Sequence, residues 1–266
     1  MAIISPFTIE VNPFDNLNFL YLFYVGLLGL CFGSFCHASA LRIVNNKDII
    51  FQKSRCDHCN KVLSWWHIIP VVGFILCYGR CQFCNKKISI QNLTSELFLS
   101  LLFVLYFIHF DTENFIFNAI FSCLFLICMI TDWTKMQLNF PVMILIIILG
   151  IIFNSFLNIR SISSGLVFSF YGILAGWVLI YLINQIYFYF RKMNGFGEGD
   201  KWLLAGIGSW LGYEQMFFIF IYATILSALW GITNIMFNNL SIKTKIPFGL
   251  FLCIITLLHP IIIFYK

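Results

Sequence analysis

The sequence predicts an all-α polytopic membrane protein with about eight transmembrane helices. Of its 266 residues, 61% are hydrophobic and only 10% are charged, and the mean hydropathy is +0.91. Soluble domains are rarely so apolar, because charged side chains make up about a quarter of an average globular sequence. The apolar residues are also grouped into runs, and one long polar interruption separates the first run from the second.

The lengths of these runs are close to the length that a membrane span requires. A transmembrane helix needs about 20 mostly apolar residues to cross about 30 Å of hydrocarbon. Eight stretches approach that length, and the sixth of them is the shortest and is rich in glycine. They are residues 17–38, 93–110, 114–131, 140–157, 165–190, 201–213, 215–236 and 247–265.

Positively charged residues are concentrated in one set of loops. If eight spans alternate in direction, fourteen of the sixteen Lys and Arg residues lie on one side, and only Arg160 and Lys266 lie on the other. The positive-inside rule makes the first side cytoplasmic and both termini external. Because the bases are spread over several loops, a nucleic-acid surface is disfavoured. The fourteen residues are Arg42, Lys47, Lys53, Arg55, Lys61, Arg80, Lys86, Lys87, Lys135, Arg191, Lys192, Lys201, Lys243 and Lys245.

Three parts of the chain follow from this pattern. Residues 1–41 are expected to form an N-terminal segment and the first transmembrane helix. No Lys or Arg precedes the first apolar run, whereas a cleavable signal peptide has a basic n-region, so we interpret this start as a mature segment. Residues 42–92 form a polar cytoplasmic segment, and residues 93–266 form a membrane core with about seven helices.

Two cysteine pairs lie in the polar segment 42–92. Cys56 and Cys59 form one CxxC motif, Cys81 and Cys84 form another, and 21 residues separate the pairs. Each CxxC turn can offer two sulfurs to one ion, so the spacing predicts a tetrahedral zinc site. A reducing compartment favours metal over disulfides. The alternative is four free, buried cysteines, which the paired spacing disfavours.

A closed four-cysteine site leaves no open position for a substrate, so we assign it a structural role. It would brace a segment too small to build its own core. His58 and His67 are interpreted as bystanders, because four cysteines already complete the ligand set. The other cysteines are interpreted as small apolar residues. They are Cys31, Cys36, Cys77, Cys123, Cys128 and Cys253.

Two acids lie at the inner ends of predicted spans. Asp132 ends the third span in FLICMITDWTK, and Asp200 begins the sixth in GFGEGDKWLLAG. The topology places both at the same depth on the cytoplasmic face, where an ionisable group at the edge of hydrocarbon is costly and favours a functional role. Taken singly, each acid also fits an ion pair, with Lys135 near Asp132 and Lys201 beside Asp200. Asp200 fits a helix N-cap as well.

Two carboxyl groups brought together at that depth would share one proton and titrate as a unit. One could take a proton from water while the other protonates the carbonyl oxygen or the leaving group, which predicts aspartic peptide hydrolysis. Gly195, Gly197 and Gly199 precede Asp200 and free the backbone to bend or to approach a substrate strand. Glu198, inside that glycine loop, is interpreted as a solvated neighbour.

Five stretches in order along the chain resemble the motifs of one known family. GFGEGDKWLLAGIGSWLG resembles a signature around a catalytic Asp, with Asp200 in register, and GSFCHASALRI, residues 33–43, resembles the end of a first span. SRCDHC and GRCQFCNKKIS resemble a four-cysteine segment, and Glu96 stands where an acid enters the second span. KIPFGLFL, residues 245–252, resembles the opening of a last span. Together they resemble the type IV prepilin peptidases, membrane aspartic proteases of the Gly-x-Gly-Asp class.

The resemblance implies a function that composition and spacing do not name. Asp132 and Asp200 would be catalytic, and Gly197 and Gly199 would support the catalytic loop. The substrates would be prepilin or pseudopilin precursors, cut after a glycine at the cytoplasmic edge of their hydrophobic N-terminal helix. Many relatives also methylate the new N-terminus with S-adenosylmethionine, but the motifs do not locate a methyl-donor site. The expected location is the bacterial inner membrane.

One stretch departs from the family pattern. Relatives commonly carry a second acid and a Leu-Pro-Asp sequence shortly after the first catalytic Asp, and this chain does not. Because no second acid follows, Asp132 is the single candidate for that position. The residues at the corresponding places are Thr134, Leu138, Asn139, Phe140 and, displaced, Pro141.

Two other functions fit parts of the sequence. One is a membrane aspartic protease that cleaves different substrates within the bilayer, although such an enzyme has no evident need of a four-cysteine segment. The other is a non-enzymatic assembly or transport protein whose acids form ion pairs or a proton path. A proton path would place acids near mid-bilayer, whereas Asp132 and Asp200 are predicted at one face, and we find no convincing inverted repeat.

Overall fold

The chain is helical in the computed structural model, which describes residues 16–49, 53–56, 58–157, 162–193, 195–238 and 245–264. Within these ranges there are nine α-helices, one π-helical turn and two isolated β-bridges, and no strand. The all-α prediction is therefore confirmed for these residues. The helices are α1 (Asn16–Val44), α2 (Trp65–Ile68), α3 (Val72–Leu76), α4 (Ile90–His109), α5 (Thr112–Lys135), α6 (Phe140–Ile152), α7 (Ile162–Arg191), α8 (Glu198–Asn238) and α9 (Phe248–Phe264), and the π-helical turn is Phe153–Leu157.

Some residues used in the sequence analysis lie outside the described ranges. They include the segment before Asn16 and the basic residues Arg160, Lys243 and Lys266. The predicted external position of both termini therefore lies outside the described residues as well.

Five described helices are long and apolar enough to cross a membrane by length and composition, and two shorter apolar helices match the predicted runs at 140–157 and 247–265. The predicted runs at 201–213 and 215–236 both fall within α8. The count of eight spans is not confirmed and stays a prediction. The five long helices are Phe19–Val44, Ile90–His109, Thr112–Lys135, Ile162–Arg191 and Glu198–Phe237.

Helix α8 bends sharply at Gly212. This residue has φ 82° and ψ 171°, inside what is otherwise a continuous helix. Only glycine adopts this backbone conformation without a steric clash, because it has no Cβ atom. A Cβ at this position would also lie 2.1 Å from Cζ of Phe168. The two predicted runs are thus the two arms of one bent helix.

Helix α6 begins within the stretch that departs from the family pattern after Asp132. The side chain of Asn139 accepts a hydrogen bond from the backbone N–H of Val142 at 3.3 Å and so caps the helix. Pro141 lies in the first turn, where its missing N–H leaves no helical hydrogen bond unmade. The displaced proline therefore begins a helix here.

The chain divides into two compact units, and the division falls inside α5, between Ile127 and Cys128. In the first unit α1 packs against α4, and a Cβ on Gly29 would lie 2.5 Å from Cα of Ser100. The hydroxyl of Ser100 donates to the carbonyl oxygen of Gly26 at 2.9 Å. Small residues allow this close backbone approach between membrane helices. The three-part division predicted from the sequence stays a prediction.

In the second unit, α8 packs against α6, α7 and α9. The contact between α7 and α8 is closest at Gly172 and Gly208, where a Cβ on Gly172 would lie 2.0 Å from the carbonyl oxygen of Gly208. Asn154 donates to the carbonyl oxygens of Ser209 and Trp210, both at 2.9 Å. Both carbonyls lie in the turn of α8 just before Gly212. The second unit is therefore built around the two arms of α8.

Candidate active site

Asp132 lies in the last turn of α5, and its carboxyl group is buried, with 5% of the residue exposed. Its Oδ2 atom accepts a hydrogen bond from the backbone N–H of Leu250 at 2.9 Å. That N–H belongs to the first turn of α9, where the N–H groups have no partner within the helix. A carboxylate is favoured at this end of a helix by the helix dipole. The first turn of α9 therefore holds Asp132 in place.

Asp200 is the third residue of α8 and is 8% exposed. Its Oδ2 atom accepts a hydrogen bond from the backbone N–H of Gly197 at 2.9 Å, and its own N–H donates to the carbonyl oxygen of Gly197 at 3.2 Å. A side chain at the third position that reaches back to the N-cap backbone is one half of a capping box. The interpretation of Asp200 as the N-cap itself is wrong, because α8 begins two residues earlier, at Glu198.

Both acids belong to one buried cluster in the second unit. Leu138, in the connection between α5 and α6, lies against Gly199 and Gly249, since a Cβ on those glycines would be 2.9 Å and 3.3 Å from its side chain. A Cβ on Gly249 would also lie 3.0 Å from Oδ2 of Asp132. Gly199 directly precedes Asp200, so Leu138 and Gly249 link the surroundings of the two acids. The structure thus brings the two predicted acids together.

Lys201, considered as an ion-pair partner of Asp200, pairs with Glu198 in the structure. Lys201, 9% exposed, places Nζ 2.5 Å from Oε2 of Glu198, and the same ammonium lies over the ring of Trp177 at 5.6 Å. The side chain of Glu198 is 73% exposed, as expected for a solvated neighbour, but it also pairs with this lysine. Glu198, and not Asp200, therefore balances the charge of Lys201.

Asn184 in α7 holds the glycine loop, and the sequence analysis missed it. Its Oδ1 atom accepts from the backbone N–H groups of Gly195 and Phe196 at 3.1 and 2.8 Å. Its Nδ2 donates to the carbonyl oxygen of Phe196 at 3.1 Å. Only 7% of Asn184 is exposed. The one available signal was an amide inside the apolar stretch YLINQIYFYF, since a polar group in a membrane helix needs a partner.

An aromatic cluster connects the glycine loop to the start of α9. The ring centroid of Phe196 lies 4.8 Å from that of Phe248 and 5.9 Å from that of Phe220. Phe248 is the first residue of α9, and Leu250, two residues later, donates to Asp132. Aromatic rings in such tilted contacts contribute about 0.5–1.5 kcal/mol per pair beyond the area they bury. The loop before Asp200 and the turn that holds Asp132 are therefore packed against each other.

The four predicted zinc ligands form a separate cluster in the first unit. All four Sγ atoms lie within 4.8 Å of one another, with 3.9 Å between Cys56 and Cys84 and 4.0 Å between Cys59 and Cys81. Zn–S bonds of about 2.3 Å in a tetrahedron place sulfurs about 3.8 Å apart, so the cluster fits a metal ion of this kind. Both ring nitrogens of His67 have other partners, the N–H of Ser64 and the side chain of Gln82.

The two cysteine turns repeat the same backbone pattern. The N–H of Cys56 donates to the carbonyl oxygen of Lys61, and the N–H of Cys81 donates to that of Lys86. Asn60 and Asn85 follow the second cysteine of each pair, with φ of 57° and 56°. Asparagine tolerates this left-handed conformation better than most residues. Each turn therefore presents two sulfurs on one side.

Backbone N–H groups favour the thiolate form of Cys81, one of the four predicted ligands. The N–H groups of Phe83 and Cys84 donate to the sulfur of Cys81 and lower the pKa of its thiol to about 6. The N–H of Lys86 lowers the pKa of Cys84, but burial and the neighbouring thiols outweigh it and raise that pKa to about 11. Only the thiolate form binds a metal, so full ligation releases protons.

Comparison with known proteins places both clusters in one family. The Bacterial Peptidase A24 N-terminal domain matches residues 27–110, and the Type IV leader peptidase family matches residues 119–232. The Prepilin leader peptidase/N-methyltransferase of Bacillus subtilis (strain 168) is 30% identical over 237 residues, covering 88% of this chain and 89% of the relative. The chain belongs to the type IV leader peptidase family.

A second member of the type IV leader peptidase family is similar over nearly the same length. The Prepilin leader peptidase/N-methyltransferase of Vibrio cholerae is 26% identical over 224 residues, covering 79% of this chain and 85% of the relative. No solved structure matches the chain significantly. The resemblance found in the motifs is thereby confirmed. Family membership and the five apolar helices make this an integral membrane protein.

Proposed function

We propose that this protein is a membrane aspartic endopeptidase that removes the leader peptide of type IV prepilins or pseudopilins. One observation carries the assignment of the chemistry: Asp132 and Asp200, from different helices, are buried together inside the region that matches the peptidase family. The printed names of the relatives supply the substrate class.

The mechanism uses the two carboxyl groups as one acid–base pair that holds a single proton. The ionised carboxylate takes a proton from a water molecule, and the resulting hydroxide adds to the carbonyl carbon of the scissile peptide bond. The protonated carboxyl gives its proton to the carbonyl oxygen. The tetrahedral intermediate then collapses and the C–N bond breaks. The proton taken from water passes to the leaving amine, and a hydroxyl of the intermediate returns its proton to the carboxylate that had protonated the carbonyl oxygen. The pair returns to its starting state.

The surrounding contacts fix the two carboxyl groups before a substrate arrives. Asp132 is held by the N–H of Leu250 and Asp200 by the N–H of Gly197, each through Oδ2. Each hydrogen bond to an ionised group contributes about 1.5–3 kcal/mol, enough to select one orientation of the carboxyl. Preorganised groups lower the barrier because no reorientation is needed during the reaction.

We further propose that Zn²⁺ occupies the four-cysteine cluster and braces the segment that carries it. A four-thiolate site has no open coordination position, so the metal would supply folding energy and no step of the hydrolysis. The predicted topology places this segment and both acids on the cytoplasmic side of the bacterial inner membrane, with the termini outside. The N-methyltransferase part of the relatives' names extends the proposal to methylation with S-adenosylmethionine.

The proposal is tested by removing one carboxylate at a time without changing its shape. Asp132→Asn and Asp200→Asn are each expected to abolish leader cleavage of a co-expressed prepilin. In each variant one carboxyl group remains, and it cannot both take a proton from water and protonate the carbonyl oxygen. Asp111→Asn is the matched control, since Asp111 is an exposed acid directly before α5. Cleavage and methylation are both read from the mass of the product's N-terminus.

The amount of each variant in the membrane is measured in the same cells. Loss of cleavage with normal membrane levels in both site variants, and full cleavage with Asp111→Asn, is the expected result. Normal processing by either site variant would overturn the aspartic mechanism. It would leave Asp200 as a helix-capping residue and Asp132 as a partner for the first turn of α9.

A further inference from the structure

The stretch between the two cysteine pairs carries an apolar surface that no described residue of the first unit covers. Residues 65–78, WWHIIPVVGFILCY, form α2, α3 and the turns beside them. Tyr78 is 92% exposed and Trp65 is 71% exposed. Isolated exposed apolar residues are ordinary, but a cluster of this density marks a binding surface. We call the following residues the α2–α3 patch: Trp65, Trp66, Ile68, Ile69, Val72, Ile75, Leu76 and Tyr78.

A buried glutamate fixes the height of this patch along the membrane helices. Val71, in the turn between α2 and α3, donates its backbone N–H to Oε2 of Glu96 at 2.8 Å. Glu96 is only 2% exposed, and its other oxygen accepts from the side chain of Asn92 at 2.9 Å. It is the seventh residue of α4, about 9 Å from the start of that helix. The turn therefore lies beside α4 and not beyond its end.

Helix α1 contacts α4 at the height of Glu96. A Cβ on Gly33 of α1 would lie 2.7 Å from Cα of Glu96, so the two helices touch at this height. Gly33 lies inside the first apolar run, 17–38, and the apolar sequence LFLSLLFVLYFI begins directly after Glu96. The turn is thus level with the beginning of the apolar part of α4 and with a residue inside the apolar run of α1.

The charge around the patch matches an anionic surface. Residues 42–92 contain eight basic residues and two acids, a net charge of +6 with the cysteines counted as neutral. Four exposed basic side chains lie on the cysteine turns themselves: Arg55, Lys61, Arg80 and Lys86. Basic residues near an anionic bilayer are attracted to its surface. Trp and Tyr are the residues that concentrate at the boundary between lipid and water.

We propose that the α2–α3 patch lies in the headgroup region of the bilayer and anchors the four-cysteine segment flat on an anionic phospholipid surface. The apolar side chains of the patch then contact the upper part of the acyl chains, and the basic cysteine turns contact the phosphates. Glu96 holds the patch at the depth that this contact requires. This anchoring is independent of the peptidase function, and its test uses no substrate.

The test measures where Trp65 and Trp66 reside. Full-length protein is reconstituted in vesicles of phosphatidylcholine and phosphatidylglycerol, and the fluorescence of a Trp65→Phe, Trp66→Phe variant is subtracted from that of the unchanged protein. The remaining emission is expected to be quenched by lipid brominated near the headgroup end of its acyl chains and to be protected from acrylamide in the water. Metal content of both proteins verifies that the cysteine cluster is intact.

Two other results would overturn the anchoring. Quenching by acrylamide without quenching by brominated lipid would place the patch in water, and protection from both would mean that a protein partner or a second copy covers it. An Ile75→Asn, Leu76→Asn variant is expected to expose the tryptophans to acrylamide, whereas Val62→Asn, an exposed residue outside the patch, is not. Lipid quenching that persists unchanged without phosphatidylglycerol would refute the anionic part of the proposal.

Discussion

At the scale of single residues, the position of Asp200 depends on a side chain that does no chemistry. Asn184 makes three hydrogen bonds to the backbone of Gly195 and Phe196, just before the capping interaction of Gly197 with Asp200. A loop with this glycine content has many unfolded conformations, and the amide selects one of them. We therefore expect Asn184 to act as a positioning residue for Asp200.

Asn184→Leu is predicted to lower prepilin cleavage at least about tenfold, because two backbone N–H groups lose their acceptor at a cost of about 1–3 kcal/mol each. The fall should appear in kcat with little change in KM, since the loop and not the substrate contact is disturbed. Gln185→Leu makes the matched change at an exposed neighbouring amide and should leave both constants unchanged. Equal effects of the two substitutions would contradict a positioning role.

At the scale of helices, the bend in α8 sets the direction of both its arms. Hydropathy predicted two spans at 201–213 and 215–236, and both stretches are helical, but their connection is a single residue, Gly212. The length and hydropathy of the apolar runs identify each arm. They do not show which of several glycines forms the joint, because that depends on the backbone angles of Gly212 in the folded chain.

Gly212→Ala is predicted to destabilise the second unit by about 3 kcal/mol or more, from the backbone conformation and from the clash with Phe168 together. The measurement is the apparent midpoint of thermal unfolding in detergent. Gly231→Ala is the control on the same helix, since its Cβ would meet only the flexible end of Ile246. Adding Phe168→Ala to Gly212→Ala should restore only part of the loss, and an unchanged midpoint for Gly212→Ala would refute the argument.

At the scale of the whole molecule, the sequence predicted local patterns better than contacts between helices. The four cysteines were found because each CxxC turn is a local feature whose sulfurs already point to one side. Asp132 and Asp200 were proposed as site residues from their predicted depth in the membrane, and both are buried in the structure. Leu138 and Asn184 were missed as neighbours of the acids, because their contacts arise only when α7, α8 and α9 pack together. The neighbours of the two acids are therefore set by the packing of helices, which motifs and hydropathy in the sequence do not reveal.

The cysteine cluster and the acids belong to different compact units, which leads to a prediction about the metal. Cys59→Ser removes one of the four proposed zinc ligands, so zinc content is expected to fall from about one ion per chain to near zero. Amide hydrogens of residues 58–62 and 80–87 should then lose protection from exchange, because their few backbone hydrogen bonds depend on the metal for support. Protection in α8 should be unchanged, since each unit has its own packed core.

Cys77→Ser, in the same segment but outside the cluster, should retain both zinc and protection. Loss of protection in α8 together with the cysteine turns would show that the two units unfold as one.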